Sequence, residues 1–310
     1  MTTPPFDPSA RVEKVATGAA WAEGPLWYPL EKVVRFSDIP NNRIIQLDPA
    51  TGETLVWKSG VNYANGRAHH PDLGVVECNH GTRSLDKAPL VPFMDAEMLI
   101  DFFEGGRLNS PNDVAVHPIE HTIWLTDPPY GSRGEGQGQP GGMEYGRSYV
   151  FQLDHHGDLG AVVTERCRPN GIAFSRDGKR LYVTNTADNP DKPEENAPES
   201  VTDSAGRHHI WAFDFDADNA VVKGSGRPFA CPAAGVPDGI TVDEEDRVWS
   251  SGGDGVSVFD SDGCLIAHAP VPEVVSNLCF GGEDGQDLFI TATTSLYRLR
   301  TNTREPWNFA

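Results

Sequence analysis

The chain has 310 residues, with 45 Asp and Glu against 25 Lys and Arg, a formal charge of −20. So acidic a surface, with no clustered basic run, excludes a phosphate-backbone partner, because nucleic-acid binding relies on Lys and Arg to displace counterions. No apolar run approaches the roughly 18 residues of a membrane span, and the N-terminus "MTTPPFDPSARVEK" lacks the basic-then-apolar pattern of a secretory signal.

The elements repeat along the chain. "EGPLWYPLEKVVRFSD" from Glu23, "NGRAHHPDLGVVECN" from Asn65 and "NDVAVHPIEHTIWLTD" from Asn112 share one frame. "NGIAFSRDGKRLYVTN" from Asn170, "DGITVDEEDRVWSSG" from Asp238 and "NLCFGGEDGQDLFITA" from Asn277 complete six copies. Each reads as a polar residue, a short apolar strand, a turn and a second strand. Further strand pairs such as "IIQLDPATGETLVW" and "YVFQLDHHGDLGAVV" follow several copies, joined by Asp, Asn, Pro and Gly turns. A four-stranded antiparallel unit at a spacing near 40–45 residues is that of a propeller blade. The expected fold is therefore all-β, a six-bladed β-propeller occupying residues 1–310 as a single domain. The N-terminal "RVEKVA" strand is expected to complete the last blade and close the ring.

Several segments depart from the repeat. "VPFMDAEMLIDFFEGG" (residues 91–106) predicts a short helical turn. Polar insertions over 131–147 and 187–206 read as loops, and the GxGxxG match at 136–141 reads as loop because no strand precedes it and no helix follows. The doublets His69-His70 and His208-His209 lack metal-ligand spacing and are expected in loops. Five scattered cysteines without a CxxC pair suit free thiols in a reducing cytoplasm. No GxSxG elbow is present to anchor a serine hydrolase.

In a propeller the six opening residues, Glu23, Asn65, Asn112, Asn170, Asp238 and Asn277, gather at one mouth of the axis. Taken singly, Asn-Gly and Asp-Gly are turn dipeptides. Taken together, and with Glu23, a poor turn former, among them, they form a ring of hard oxygens suited to a divalent cation such as calcium.

The motifs "WAEGPLW", "SPNDVAV", "TDPPYG", "RPNGIAF" and "VPDGITV" resemble, in order and over essentially the whole chain, those of the gluconolactonase/regucalcin (SMP-30) family. The resemblance implies a six-bladed propeller with a metal-dependent lactonase activity. It places metal ligands on Glu23, Asn170 and Asp238, with Asn112 on a slot that serves metal or substrate and Asp113 supporting it. It also makes His80 a candidate substrate contact, and Asp127 and Tyr130 of "TDPPYG" either pocket residues or parts of a Pro-built turn. The regucalcin branch has an arginine two residues before the Asn112 slot, where this chain has Ser110; the departure favours the bacterial gluconolactonase branch. The expected cofactor is one divalent ion, calcium first, with zinc, magnesium or manganese also compatible with such oxygens. The ion would polarise a lactone carbonyl, and Asp238 would serve as general base toward water. The expected partner is a small sugar lactone such as D-glucono-1,5-lactone, with neither nucleic acid nor membrane. The alternatives are a phosphotriesterase-like hydrolase on the same centre and a non-catalytic interaction propeller.

Overall fold

In the computed structural model, described here for residues 3–134, 136–164, 168–186 and 209–306, six four-stranded antiparallel sheets are arranged around an axis as a six-bladed propeller. Blade one runs Ala22–Tyr28, Val33–Asp38, Arg43–Leu47 and Thr54–Ser59 from the axis outward. Blade two repeats this with Ala64–His70, Gly74–Asn79, Ser84–Lys87 and Glu97–Ile100. The inner strands of blades three, four and five are Val114–Val116, Pro169–Phe174 and Ile240–Val242.

Blade six closes the ring. Its inner three strands are Val275–Gly281, Asp287–Ala292 and Ser295–Arg300, and its outer strand is the N-terminal Glu13–Thr17, paired with Ser295–Arg300. The expected closure by the N-terminal strand is observed. Joining the two ends of the chain within one sheet leaves no unpaired strand between the first and last blades, which is how a propeller protects its edges.

Apolar wedges between blades hold the ring together. Blades five and six share Trp249, Val258, Leu278, Phe280 and Leu288, with Phe6 packed on Trp249 at a ring separation of 6.0 Å. Blades six and one share Phe289, Leu296, Val34 and Phe36. Blades three and four share Trp124, Phe174, Leu181 and Trp211. Complete burial of an aromatic side chain of this size contributes about 1.5–3 kcal/mol.

Two sequence expectations are corrected. The segment expected to turn as a helix instead supplies the outer strand Glu97–Ile100 and a small hairpin, Phe102–Phe103 with Gly106–Arg107. Its apolar residues do not share a buried face: Phe93, Met94, Met98 and Phe102 are all exposed, so nothing stabilises a helix there, whereas pairing with Ser84–Lys87 satisfies the backbone. His69 and His70 end an inner strand rather than a loop. The segment 187–206 and His208 lie outside the described residues, while Gly136–Gly141 is loop as expected. No described helix is long and apolar enough to cross a membrane.

Candidate active site

The opening dipeptides are not hairpin turns. Glu23-Gly24, Asn65-Gly66 and Asn170-Gly171 lie inside inner strands, each at a slip in the pairing with the second strand. Such a bulge rotates the strand and re-aims its side chains, here toward the axis.

The slots are tied from blade to blade. Ser37 Oγ donates to Asn65 O at 3.2 Å, Thr126 Oγ1 to Asn170 O at 2.6 Å and Thr184 Oγ1 to Asp238 O at 2.7 Å. The following amide donates onward: Gly66 N to Asn112 O, Gly171 N to Asp238 O and Gly239 N to Ser276 O, at 2.9, 3.0 and 2.7 Å. This pattern explains the glycines. A Cβ on Gly171 would sit 2.2 Å from Asp238 O, and one on Gly24 2.0 Å from Asn65 O. At both positions the neighbouring slot occupies the space a side chain would need, and Gly24 also sits at φ 47, where a side chain is strained.

The same pattern corrects the ring in blade six. Gly239 N reaches Ser276, so Ser276 holds the slot equivalent to Asn112 and Asp238. Asn277 stands one residue further along, in register with Asp113. Both side chains show it: Asp113 Oδ1 accepts from Val114 N at 3.0 Å, and Asn277 Oδ1 from Leu278 N at 2.8 Å. The slip between Val275 and Asn277 is the physical cause.

Around this ring the structure gathers Glu23, Asp113, Asn170, Asp238 and Asn277. Glu23 is buried; its Oε2 accepts from Gly24 N at 2.9 Å and from Asn277 Nδ2 at 3.3 Å. Burial pushes the Glu23 carboxyl up to about 7, opposed by the Gly24 amide and reinforced by the charge of Asp113. Burial likewise pushes Asp113 to about 7. Asp238 keeps some exposure to the mouth yet lies deep among protein atoms. Its carboxyl is raised well above the usual range by loss of solvent first, then by the charges of Glu23 and Asp113, while an Asn170 hydrogen bond pulls it down.

No lysine or arginine is among the groups that most strongly act on these three carboxylates. Asn65 adds a buried Oδ1 with no hydrogen-bond partner. Anionic and amide oxygens held together without a counter-charge are a donor set that fits a divalent cation. Among the described residues no three His, Cys, Asp or Glu side chains converge closely enough to hold an ion alone, so amide oxygens must complete any such site. Asn112 is buried beside Asp113, with its N–H on Thr126 O at 2.9 Å.

The remaining sequence candidates surround the ring. His80 is fully buried, with Nδ1 2.8 Å from Gln137 O and Nε2 3.2 Å from Asn65 Nδ2. Burial lowers it to about 4, so it is neutral; with Nε2 accepting from the Asn65 amide, Nδ1–H donates to Gln137. It thus couples the 131–147 loop to the ring. Asp127 is also fully buried. It accepts from Asn109 N at 2.7 Å, from Ser110 N at 2.8 Å and from the Tyr145 hydroxyl. Those bonds shape the backbone leading into Asn112. Ser110 Oγ donates to Pro128 O at 2.6 Å and accepts from Gly131 N at 2.9 Å, so the position that differs from the regucalcin branch braces a loop. Tyr130 bonds the Thr186 hydroxyl and feels both Arg168 and the charge of Asp238.

The sequence reading did not single out Arg168, buried at φ 46 and two residues before Asn170. Its carbonyl accepts from Thr186 N and Oγ1, both at 3.1 Å. The "RPNG" frame was the available signal, since a charged residue beside a ring slot has no solvation reason to be there.

Below the ring, a cavity of about 520 Å³ follows the axis, lined by inner strands of all six blades. It begins at Gly24, Asp113 and Asn277 and ends near Glu244, Arg304 and Glu305. It therefore runs away from the mouth that Asp238 faces.

Comparison with known proteins gives the family. The SMP-30/Gluconolactonase/LRE-like region matches residues 21–294. This chain belongs to that family. It is 30% identical to a gluconolactonase of Zymomonas mobilis over 96% of this chain and 83% of that protein. It is 28% identical to a pentonolactonase of Haloferax volcanii, over 89% of this chain and 83% of that protein. Among solved structures, a Xanthomonas campestris gluconolactonase superposes with a TM-score of 0.82 at 33% identity, covering 97% of this chain and 95% of the other. The relatives with named activities are lactone-hydrolysing enzymes, in agreement with the enzyme class expected from the motifs.

Proposed function

We propose that this protein is a metal-dependent lactonase that opens a sugar lactone of the D-glucono-1,5-lactone type to the hydroxy acid. The observation that carries this reading is the group of three carboxylates, Glu23, Asp113 and Asp238, gathered at one end of the axis with no Lys or Arg among the described groups that act on them most strongly. The names of the similar lactonases support the substrate class.

Glu23, Asn170 and Asp238 would hold the ion, with Asn112 on its ligand or substrate side, and calcium is the first choice for an all-oxygen set. When bound, the ion supplies Lewis-acid polarisation of the lactone carbonyl.

The chain's own residues do the rest. Asp238, the carboxylate with access to the mouth, takes a proton from the water whose oxygen attacks the carbonyl carbon. As the ring C–O bond breaks, the same proton is available for the departing ring oxygen, leaving an alcohol and a carboxylic acid that then ionises. Asn170 holds Asp238 through its amide. Tyr130 and Thr186, on the Asp238 side, offer hydroxyls to the sugar. His80 and Asp127 keep the 131–147 loop and the Asn109–Asn112 segment in place around the substrate. The product carboxylate leaves a strongly acidic protein readily. Four cysteines, Cys78, Cys231, Cys264 and Cys279, are outside disulfides, which supports a reducing, cytoplasmic setting.

The test is acid release from D-glucono-1,5-lactone above the spontaneous rate, with a chelator and with calcium, zinc, magnesium or manganese restored. Equal rates with and without the chelator would sink the metal requirement. A rate no greater than the spontaneous one on both gluconolactone and pentonolactones would sink the substrate class.

A further inference from the structure

Four of the six inner strands place glycine just after the ring slot, at Gly24, Gly66, Gly171 and Gly239; the other two place Asp113 and Asn277 there. Those two belong to blades three and six, which are opposite one another in the ring. Their side chains cross the axis and meet, with Asn277 Nδ2 3.5 Å from Asp113 Oδ2. The glycines make room for them: a Cβ on Gly66 would lie 2.2 Å from Asp113 Oδ1, and one on Gly239 2.1 Å from Asn277 Oδ1. Together they form a crossbar between the mouth and the axial cavity below.

Asn277 is the member with a directional task. Its Oδ1 is fixed by Leu278 N at 2.8 Å, which turns the NH₂ outward, and that NH₂ lies 3.3 Å from Glu23 Oε2. Blade six stands between blade five, which carries Asp238, and blade one, which carries Glu23. The amide therefore sits where its NH₂ can donate to both Glu23 and Asp113 without adding a further negative charge. A glycine there would leave Glu23 the adjacent Gly24 amide and the Trp21 side chain as its donors.

We propose that Asn277 is a positioning residue for the metal site, orienting Glu23 by donating to it while braced against Asp113. This inference rests on the metal-site reading above. Groups that orient ligands in this way typically change metal affinity by about 10–100-fold when removed.

The test is calcium titration by calorimetry, together with the calcium-dependent rise in Tm, on wild type, Asn277→Ala, Asn277→Asp, Glu23→Gln and the swapped pair Glu23→Gln/Asn277→Asp. The Tm without metal checks that each variant folds. Asn277→Ala is expected to weaken calcium about tenfold, and Glu23→Gln more. The swapped pair, which exchanges donor and acceptor at unchanged total charge, is expected to regain about tenfold over Glu23→Gln alone. A merely structural role for Asn277 predicts no recovery beyond that produced by Asn277→Asp alone, which adds the same charge and serves as the control. The proposal is overturned by a folded Asn277→Ala protein that binds within about twofold of wild type, or by a swapped pair no better than Glu23→Gln. Should the alanine variant fail to fold, the swapped pair, read against that control, decides. A wild-type protein that binds none of calcium, zinc, magnesium or manganese defeats the metal reading itself, an outcome distinct from wild-type binding that Asn277 does not influence.

Discussion

Buried carboxylates occur in two settings in this molecule. In the body of the blades several are paired with arginine, while Asp86 and Asp127 are held by amides and a tyrosine hydroxyl instead. Asp243 lies 2.6 Å from Arg247 Nε and also accepts from Trp249 Nε1 at 2.9 Å, and Asp38 lies 2.8 Å from Arg43 Nε. Glu77 faces Arg67 at 3.6 Å in the largely polar contact between blades one and two. At the axis, Glu23, Asp113 and Asp238 have amides, the Trp21 side chain and one another for company. The three at the axis differ in lying together with no guanidinium among the described groups that act on them most strongly, which supports the proposal of a cation site there. Burying an unpaired carboxylate is costly, and a bound cation, as proposed above, would offset that cost.

The comparison can be broken most sharply at Asp238. Asp238→Asn removes the base but keeps an oxygen donor, so kcat should fall about 10²–10⁴-fold while the variant still responds to metal in a thermal-shift titration. Full activity in that variant would rule out the base role. The converse change on the structural side is Arg247→Met, which strands Asp243. It should lower unfolding free energy by about 3–5 kcal/mol in a denaturant titration, with kcat of the still-folded protein unchanged. A variant of wild-type stability with low kcat would show that the two settings are not separate.

Glu23→Gln should weaken metal about 10–100-fold by calorimetry while raising metal-free stability near pH 8. The sign of that second effect follows from the raised carboxyls. Glu23 moves from an ordinary 4.5 to about 7 on folding, and Asp113 from 3.8 to about 7. Their contribution is therefore fully present below about pH 4 and is lost as pH rises through 7. The smallest effect follows: metal-free protein should show a lower Tm at pH 8 than at pH 5, and metal should flatten that slope. Asp127, also raised to about 7 by burial, adds to the slope in every variant, so the Glu23→Gln effect is read as a shallower slope rather than a flat one. Asp284, held near 2 by Arg300, titrates too low to contribute in this window. A metal-free Glu23→Gln protein with the same slope as wild type would refute the assignment.

Much of this was legible in the sequence because repetition is. The six frames, the hairpin chemistry between strands and the odd "RVEKVA" strand at the start lead to six closed blades, and register among repeats brings Glu23, Asn170 and Asp238 to one mouth. What was misread depends on a single residue of slip. "SNLCF" offers an asparagine where the ring expects one, and only the bulge at Ser276 shows that Asn277 belongs to the tier below. Asp127 and Ser110 were legible as neighbours of the site but not as braces, because their partners, Asn109, Pro128, Gly131 and Tyr145, lie on loops whose course has no periodicity.

By itself, the sequence determined the fold, the register of five of the six repeats and most of the oxygens available at the axis, since local hydrophobic alternation and turn chemistry act over a few residues and recur six times. Tertiary structure alone decided which oxygens are left without a counter-charge, why the glycines follow the slots, and that Asp113 and Asn277 meet across the axis. Those properties are made by residues from neighbouring and opposite blades, with Asp113 and Asn277 164 positions apart, and no local interaction along the chain encodes them.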